Sequence, residues 1–276
     1  ILPEGMSRER FEWLKGIGAE VIATPGCESN VKEIYDKCWE IRATRPDCVI
    51  FNQFDEFGNS CWHHFNTGAA IEEVFEKIAG PGSTLAAYVS STGSAGTIAA
   101  GDFLRGRFPA LKVVAAEAQQ CPTLLQNGFG AHRIEGIGDK HVPWVHNVRN
   151  TDMVAAIDDE QTMSLLRLFN EEAGIAFLAE QGLEADFLAK LPLLGISGIC
   201  NLVAAIKVAK YHELDGRDVL FTPLTDSMEL YASRRQELRD ERGPYTRERA
   251  ARDFSRYLEG AGTDHLQELG YRDRKR

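Results

Sequence analysis

The stretch TLAAYVSSTGSAGTIAAGDFL, residues 84–104, decides the fold of this chain. Its first seven residues form an apolar run typical of a buried strand, and residues 94–108 have the pattern of a helix. Where the two meet, the glycine-rich loop, Ser91–Thr97, combines glycines with hydroxyl side chains. A strand that leads through such a loop into a helix points free backbone N–H groups and the helix dipole at one place. The pattern predicts either a phosphate site or an ordinary tight turn.

Strands and helices alternate along the rest of the chain. Further strands are predicted at residues 1–2, 20–23, 47–52, 111–118, 153–158 and 218–224, and further helices after a capping Ser7 and over residues 29–44 and 67–80. This alternation predicts an α/β fold of twisted, mostly parallel sheets flanked by helices. Ligands of parallel sheets bind at the carboxyl ends of the strands, which favours the phosphate interpretation. The loop lacks the spacing of nucleoside triphosphate and dinucleotide motifs.

Composition and charge exclude several classes of function. The chain has 276 residues, 43% of them hydrophobic, and a net charge of -10, which is typical of a soluble globular protein and disfavours nucleic acid or an anionic membrane as partner. Its six cysteines form no C-x-x-C pair, so we expect neither a zinc ribbon nor a disulfide scaffold but a protein of the reducing cytoplasm. No apolar run approaches the roughly 20 residues of a membrane span.

Other candidate sites carry weaker signals. The spacing of His132, His141 and His146 fits no common zinc pattern, so we expect no metal. Neither Cys121 nor Cys200 has a recognisable histidine partner that would make it a nucleophile. The arginine-rich segment 234–256 alternates with Glu and Asp at helical spacing, which predicts an exposed helix with many ion pairs.

Six segments, taken in order, resemble the β-family (fold type II) of pyridoxal-phosphate enzymes, within its cysteine synthase and cystathionine β-synthase-like group. They are LPEGMSRERFEWLKGIGAEVI, NQFDEFGNSCWHHFNTGAAI, STGSAGTI, HRIEGIGDKHVP, LLGISGICNLVAAIKVAK and LTDSMELYASR. The resemblance implies the two-domain, tryptophan synthase β-like architecture. Residues 1–58 would then belong to the smaller N-terminal domain and residues 59–276 to the large cofactor-binding domain.

The resemblance also implies which residues bind pyridoxal 5'-phosphate and substrate. The residues matching the cofactor site are Ser91, Thr92, Gly93, Ser94, Ala95, Gly96 and Thr97 at the phosphate, and Gly195 and Ser227 at the ring. The residues matching the substrate site are Gln53 and Phe54 beside the carboxylate, and Gly136, Ile137 and Gly138 in the pocket wall. A neutral serine facing the pyridine nitrogen makes the ring a weaker electron sink, which favours β-elimination and β-replacement over transamination.

Enzymes of this group hold the cofactor on a lysine in a segment that precedes the one matched from Ile1. None of the ten lysines matches that lysine, so the catalytic residue is unknown. The resemblance therefore predicts the C-terminal portion of a longer enzyme, inactive alone. Its expected partners are its own N-terminal segment or a complementary subunit, and a second copy in a homodimer.

The function implied is pyridoxal-phosphate-dependent β-elimination or β-replacement on serine- or cysteine-like amino acids through an aminoacrylate, as in cysteine biosynthesis and amino-acid metabolism. One alternative is a regulatory or scaffold protein that has this fold but no cofactor. Another is a lyase similar to the serine and threonine dehydratases.

Overall fold

Two separate sheets organise the chain in the computed structural model, which describes residues 1–275. The strands are β1 (Leu2–Pro3), β2 (Ala23–Thr24), β3 (Thr84–Ser91), β4 (Lys112–Ala118), β5 (Met153–Ile157), β6 (Asp218–Phe221) and β7 (Leu266–Glu268). The first two form a parallel pair. The other five form one sheet in the order β6-β3-β4-β5-β7, parallel except for β7. The predicted mostly parallel α/β sheet is therefore confirmed.

Helices connect the parallel strands. They are α1 (Arg8–Gly16), α2 (Val31–Thr44), α3 (Phe57–Trp62), α4 (Gly68–Ile78), α5 (Ala99–Arg107), α6 (Thr123–Gln126), α7 (Asp159–Asn170), α8 (Glu172–Glu180), α9 (Ala185–Leu188), α10 (Ile196–Tyr211), α11 (Ala232–Arg242) and α12 (Arg247–Phe254). A π-helical turn, His63–Thr67, joins α3 to α4, and a second, Ser255–Glu259, follows α12. Short 3₁₀ turns lie at Leu191–Leu193, Met228–Leu230 and Asp273–Lys275.

The core lies on both faces of the five-stranded sheet. On one face, Val89 and Ala155 belong to a buried cluster that includes Val203 of α10. On the other, Tyr88 and Val113 pack into a second cluster beneath α4 and α5. Burial on both faces explains why these strands are continuous apolar runs rather than alternating ones.

Three local predictions near the N-terminus are wrong. Residues 47–52 form no strand: Val49 and Phe51 are 77% and 87% exposed, and a strand needs a neighbour to take up its backbone hydrogen bonds. The strand expected at residues 20–23 is instead the pair Ala23–Thr24. The helix after Ser7 forms, but the Ser7 hydroxyl makes no capping bond, and the Ser7 N–H donates to Glu135 Oε2 at 3.0 Å.

The arginine-rich segment forms two helices rather than one. Gly243, with φ of 70°, ends α11, and α12 begins at Arg247. Its predicted ion pairs are present, and several reach other helices, such as Arg242 to Glu160 at 2.7 Å and Arg247 to Glu180 at 2.7 Å. These ion pairs therefore join α11 to α7 and α12 to α8.

In residues 1–275 no helix is by itself both long and apolar enough to cross a bilayer. The pair Ala185–Leu193 and Ile196–Tyr211 meets the length and composition criteria jointly, but it is bent by 115°. The paired strands β1 and β2 lie within residues 1–58 and the five-stranded sheet lies within residues 59–276. The division into two domains at that position stays a prediction.

Candidate functional site

The glycine-rich loop leaves the carboxyl end of β3 and leads into α5. Helix α5 begins at Ala99, five residues after the start predicted from sequence, so residues 94–98 form an open turn. Within residues 1–275, none of the six consecutive backbone N–H groups from Gly93 to Ile98 donates to a protein acceptor. Six adjacent unused donors beside a helix start form a ready site for an anion with several oxygens.

Neighbouring side chains hold the glycine-rich loop open. Ala95 has φ of 58°, the left-handed region that turns successive N–H groups toward one side. The Tyr88 hydroxyl donates to the Thr97 carbonyl at 2.8 Å, and the Ser60 hydroxyl donates to the Ala95 carbonyl at 3.2 Å. These bonds use the loop's carbonyl oxygens and leave its N–H groups free. The loop therefore presents donors without an acidic side chain hydrogen-bonded to it in the described residues.

Asn59, at the start of α3, closes one side of the loop. Its amide donates to the Ser94 hydroxyl at 3.1 Å. The same amide lies so close to Gly96 that a Cβ at residue 96 would be 2.3 Å from Asn59 Nδ2. The sequence offered no direct signal for Asn59, because its role depends on a contact 35 residues along the chain.

The GIG segment, Gly136–Gly138, lies against the glycine-rich loop. The Gly138 N–H donates to the Thr92 carbonyl at 2.7 Å, and a Cβ at Gly93 would be 3.4 Å from the Gly138 backbone. Ile137 is buried between the two flanking glycines. The structure thus brings the predicted phosphate and substrate loops into direct backbone contact.

The start of α10 lies against the GIG segment and bonds the loop after β6. Together with the glycine-rich loop, these three elements form what we call the corner of the sheet. A Cβ at Gly136 would lie 3.6 Å from Ser197 Oγ, and Ser197 Oγ is 3.1 Å from Thr225 Oγ1. Gly195 donates its N–H to the Asp226 carbonyl at 3.1 Å. The predicted ring-binding residue Gly195 is therefore bonded to the residue that precedes Ser227.

Asn201 joins β3 to the loop after β6. It is buried inside α10, where its Oδ1 accepts from the Ser91 N–H at 2.8 Å and its Nδ2 donates to the Pro223 carbonyl at 2.9 Å. Sequence reasoning missed this residue. The sequence shows a polar amide inside the apolar run ICNLVAAI, but it does not indicate which segments that amide bonds.

Ser227 lies in the loop after β6. Its hydroxyl makes no hydrogen bond to residues 1–275, so it is available to a ligand. The neighbouring Asp226 is strongly held, because its Oδ2 accepts from Arg10 at 2.6 Å and from the Tyr231 hydroxyl at 2.5 Å. Burial and the adjacent Asp226 carboxylate raise the pKa of Tyr231, so the hydroxyl keeps its proton.

Gln53 and Phe54 lie away from the glycine-rich loop, in a groove of their own. Phe54 is buried and Gln53 is exposed, and both line an open groove of about 370 Å³ beside β1 and α2. None of the glycine-rich loop residues lines this groove. Its connection to the GIG segment is Glu28, which lines the groove and accepts from the Gly136 N–H at 2.8 Å. Burial and nearby Glu135 raise the pKa of Glu28 to about 7.

The three histidines considered as metal ligands each have different surroundings. His141 is 3.0 Å from Asp139, His146 bonds Thr151, and both nitrogens of buried His132 lack a partner in the described residues. No group of three His, Cys, Asp or Glu in residues 1–275 could hold a metal ion. Burial raises the pKa of the Cys200 thiol to about 12, which leaves it unreactive.

Comparison with known proteins gives consistent matches. Residues 1–182 match the family described as pyridoxal-phosphate dependent enzyme. A probable cysteine synthase of Bacillus subtilis is 31% identical over 234 residues, which cover 84% of this chain and 68% of that protein.

Among solved structures, the O-acetylserine dependent cystathionine beta-synthase of Helicobacter pylori is 26% identical, with a TM-score of 0.64 over 84% of this chain and 67% of its own. A hydrogen sulfide-producing enzyme of Fusobacterium nucleatum is 22% identical, with a TM-score of 0.68 over 98% of this chain and 70% of its own. The second likeness concerns the fold alone. Together they confirm the expected fold class, while the roles of individual residues stay predictions.

Proposed function

Because the chain belongs to the pyridoxal-phosphate dependent enzyme family, we propose that it catalyses β-elimination and β-replacement on serine- or cysteine-like amino acids. The observation that carries the proposal is the glycine-rich loop with its six free N–H groups, which follows β3 at the same end of the sheet at which Ser227 follows the neighbouring parallel strand β6. Pyridoxal 5'-phosphate is the expected cofactor of the family.

The chain's donors fit that cofactor. The N–H groups of residues 93–98 and the hydroxyls of Ser94 and Thr97 would bind the phosphate, whose charge the start of α5 also favours. A Cβ at residue 96 would collide with the Asn59 amide, so glycine at this position lets Asn59 lie against the loop and bond Ser94. When bound, the cofactor supplies a conjugated ring that delocalises the electron pair left when a substrate loses its α-proton.

Ser227 and Gly195 would contact the ring. A serine hydroxyl can donate to the pyridine nitrogen or accept from it without adding a charge. The backbone at Gly195 is fixed by its hydrogen bond to Asp226, so both residues belong to one rigid corner. A neutral partner keeps the ring a moderate electron sink, which suits loss of a β-substituent.

The substrate residues form the remaining part of the proposal. The Gln53 amide would donate to the substrate carboxylate, and the buried Phe54 would form part of the wall beside it. The groove of about 370 Å³ beside them has room for a small amino acid. The GIG segment would line the side nearest the glycine-rich loop, to which it is bonded.

We further propose a small domain over residues 1–58, a large domain over residues 59–276 and a homodimer located in the cytoplasm. Exposed Trp62, Phe65 and Ile78 on α3, the π-helical turn and α4 support an interface. The six cysteines are free thiols in the described residues, which supports a reducing compartment. The lysine that binds the cofactor remains unassigned.

A substrate panel tests the function. The product of the whole gene is purified with pyridoxal 5'-phosphate and supplied with O-acetylserine, O-phosphoserine, serine, cysteine and threonine, with and without sulfide or an organic thiol. We expect release of the β-substituent. Without a sulfur nucleophile the three-carbon substrates should give pyruvate and threonine should give 2-oxobutyrate, whereas sulfide should give cysteine and an organic thiol a thioether from the three-carbon substrates. Steady amino-group transfer without loss of the β-substituent contradicts the proposal, and so does failure to bind the cofactor.

A further inference from the structure

A polar contact joins the N-terminal helix α1 to the loop that carries Ser227. Arg10 of α1 donates from Nη2 to Asp226 Oδ2 at 2.6 Å, although 216 residues separate them in sequence. The Tyr231 hydroxyl donates to the same oxygen at 2.5 Å and also contacts the Arg10 guanidinium. Arg10 and Asp226 side chains are 22% and 10% exposed, and Tyr231 is fully buried. Low exposure strengthens these charge-assisted bonds.

Asp226 touches both residues predicted to flank the cofactor ring. It immediately precedes Ser227, and its carbonyl oxygen accepts from the Gly195 N–H at 3.1 Å. Its second carboxylate oxygen, Oδ1, is buried without a hydrogen-bond partner in the described residues. That oxygen lies 1.9 Å from the position of a Cβ at Gly195, so it occupies the space beside the start of α10.

Stability alone is a weak reason for this arrangement. A partly buried ion pair loses hydration on folding, and the attraction between its charges roughly offsets that loss. What the three side chains do provide is geometry, because two donors on one oxygen fix the carboxylate in position and rotation. The Ser227 carbonyl accepts from the Leu230 N–H at 3.2 Å, but its hydroxyl makes no hydrogen bond in the described residues, so the neighbouring Asp226 sets where that hydroxyl lies.

We propose that Arg10, Asp226 and Tyr231 are positioning residues that set the Ser227 hydroxyl and the Gly195 backbone against the cofactor ring. The inference rests on the proposed function, since it requires the cofactor at this corner. It also makes α1, in the segment predicted to be the small domain, part of the cofactor environment in the other domain. The position of α1 would then affect the electronic state of the bound ring through the Asp226 carboxylate, which Arg10 and Tyr231 hold.

The test compares variants by the spectrum of bound pyridoxal 5'-phosphate. Tyr231→Phe removes one hydroxyl and keeps the ion pair, whereas Asp226→Asn keeps the shape and removes the charge. Arg8→Met is the matched control, because Arg8 lies on the same helix, is 71% exposed and pairs with Glu12. The whole gene product is titrated with the cofactor while absorption and fluorescence are recorded, and urea unfolding without cofactor measures folding separately.

We expect Tyr231→Phe and Asp226→Asn to shift the absorption maximum of the bound cofactor and to weaken its binding about tenfold, equivalent to ~1.4 kcal/mol, because a displaced Ser227 and Gly195 would contact the ring less well. Arg8→Met should change neither. A role confined to folding would alter the urea midpoint and leave the spectrum of the bound cofactor unchanged. Unchanged spectra in both variants would overturn this inference and leave the proposed function standing. A wild-type protein that binds no cofactor would instead contradict the proposed function.

Discussion

Replacing Asn201 with leucine should destabilise the protein strongly and loosen the candidate site. The amide satisfies two buried backbone groups, the Ser91 N–H at 2.8 Å and the Pro223 carbonyl at 2.9 Å. Leucine has a similar volume but neither donor nor acceptor, so both groups lose their partners. Each unsatisfied buried group costs about 1–3 kcal/mol, which gives about 2–6 kcal/mol in all. That is a large part of a typical unfolding free energy of about 5–15 kcal/mol.

Urea unfolding followed by the fluorescence of the four tryptophans measures this loss. Asn147→Leu is the control, because Asn147 is exposed and its side-chain amide makes no hydrogen bond in the described residues, and it should change stability by about 0.5 kcal/mol or less. The leucine variant at residue 201 should also bind pyridoxal 5'-phosphate more weakly, since Ser91 begins the glycine-rich loop. A destabilisation below about 1 kcal/mol would refute the reasoning that this amide joins β3 to the loop after β6.

Three further changes test the site and its surroundings. Gly195→Ala would place a Cβ 1.9 Å from Asp226 Oδ1, so we expect loss of cofactor binding, measured by fluorescence titration. Gly96→Ala would displace Asn59 from the glycine-rich loop. The same titration should then show weaker binding of pyridoxal 5'-phosphate but unchanged binding of pyridoxal, which has no phosphate. Burial raises the pKa of Glu117 to about 7, so the folded state binds more protons than the unfolded state between about pH 4.5 and 7, and stability falls as pH rises through that range. The stability of wild type relative to Glu117→Gln should therefore decrease by about 2–3 kcal/mol from pH 5 to pH 8 in urea unfolding, and a pH-independent difference would contradict this.

The parallel sheet could be predicted because its strands are buried on both faces and appear as continuous apolar runs, as Thr84–Ser91 does. Residues 47–52 have a similar composition but no neighbouring strand, and composition does not report whether a partner exists. The glycine-rich loop could be located for the same local reason. Its helix begins late, at Ala99, because Ala95 has a left-handed φ of 58°, which no α-helical residue adopts.

The residues that hold the site together could not be found from sequence pattern. Asn201 and Asn59 act on segments 110 and 35 residues away, and the Arg10 contact with Asp226 spans 216 residues. Such pairings follow from the path of the chain and not from any local spacing. Gln53 shows the opposite case. A local motif predicted a role for it at the substrate carboxylate, but the structure places it in a groove that no residue of the glycine-rich loop lines.

The central claim is that the glycine-rich loop, through the N–H groups of residues 93–98, binds the phosphate of pyridoxal 5'-phosphate. Fluorescence titration of the whole gene product with pyridoxal 5'-phosphate and with pyridoxal, which lacks the phosphate, tests it most directly. Several N–H bonds to a charged group predict that the phosphorylated form binds about a hundredfold more tightly or better, equivalent to ~2.7 kcal/mol. Equal affinity for the two compounds would contradict the claim.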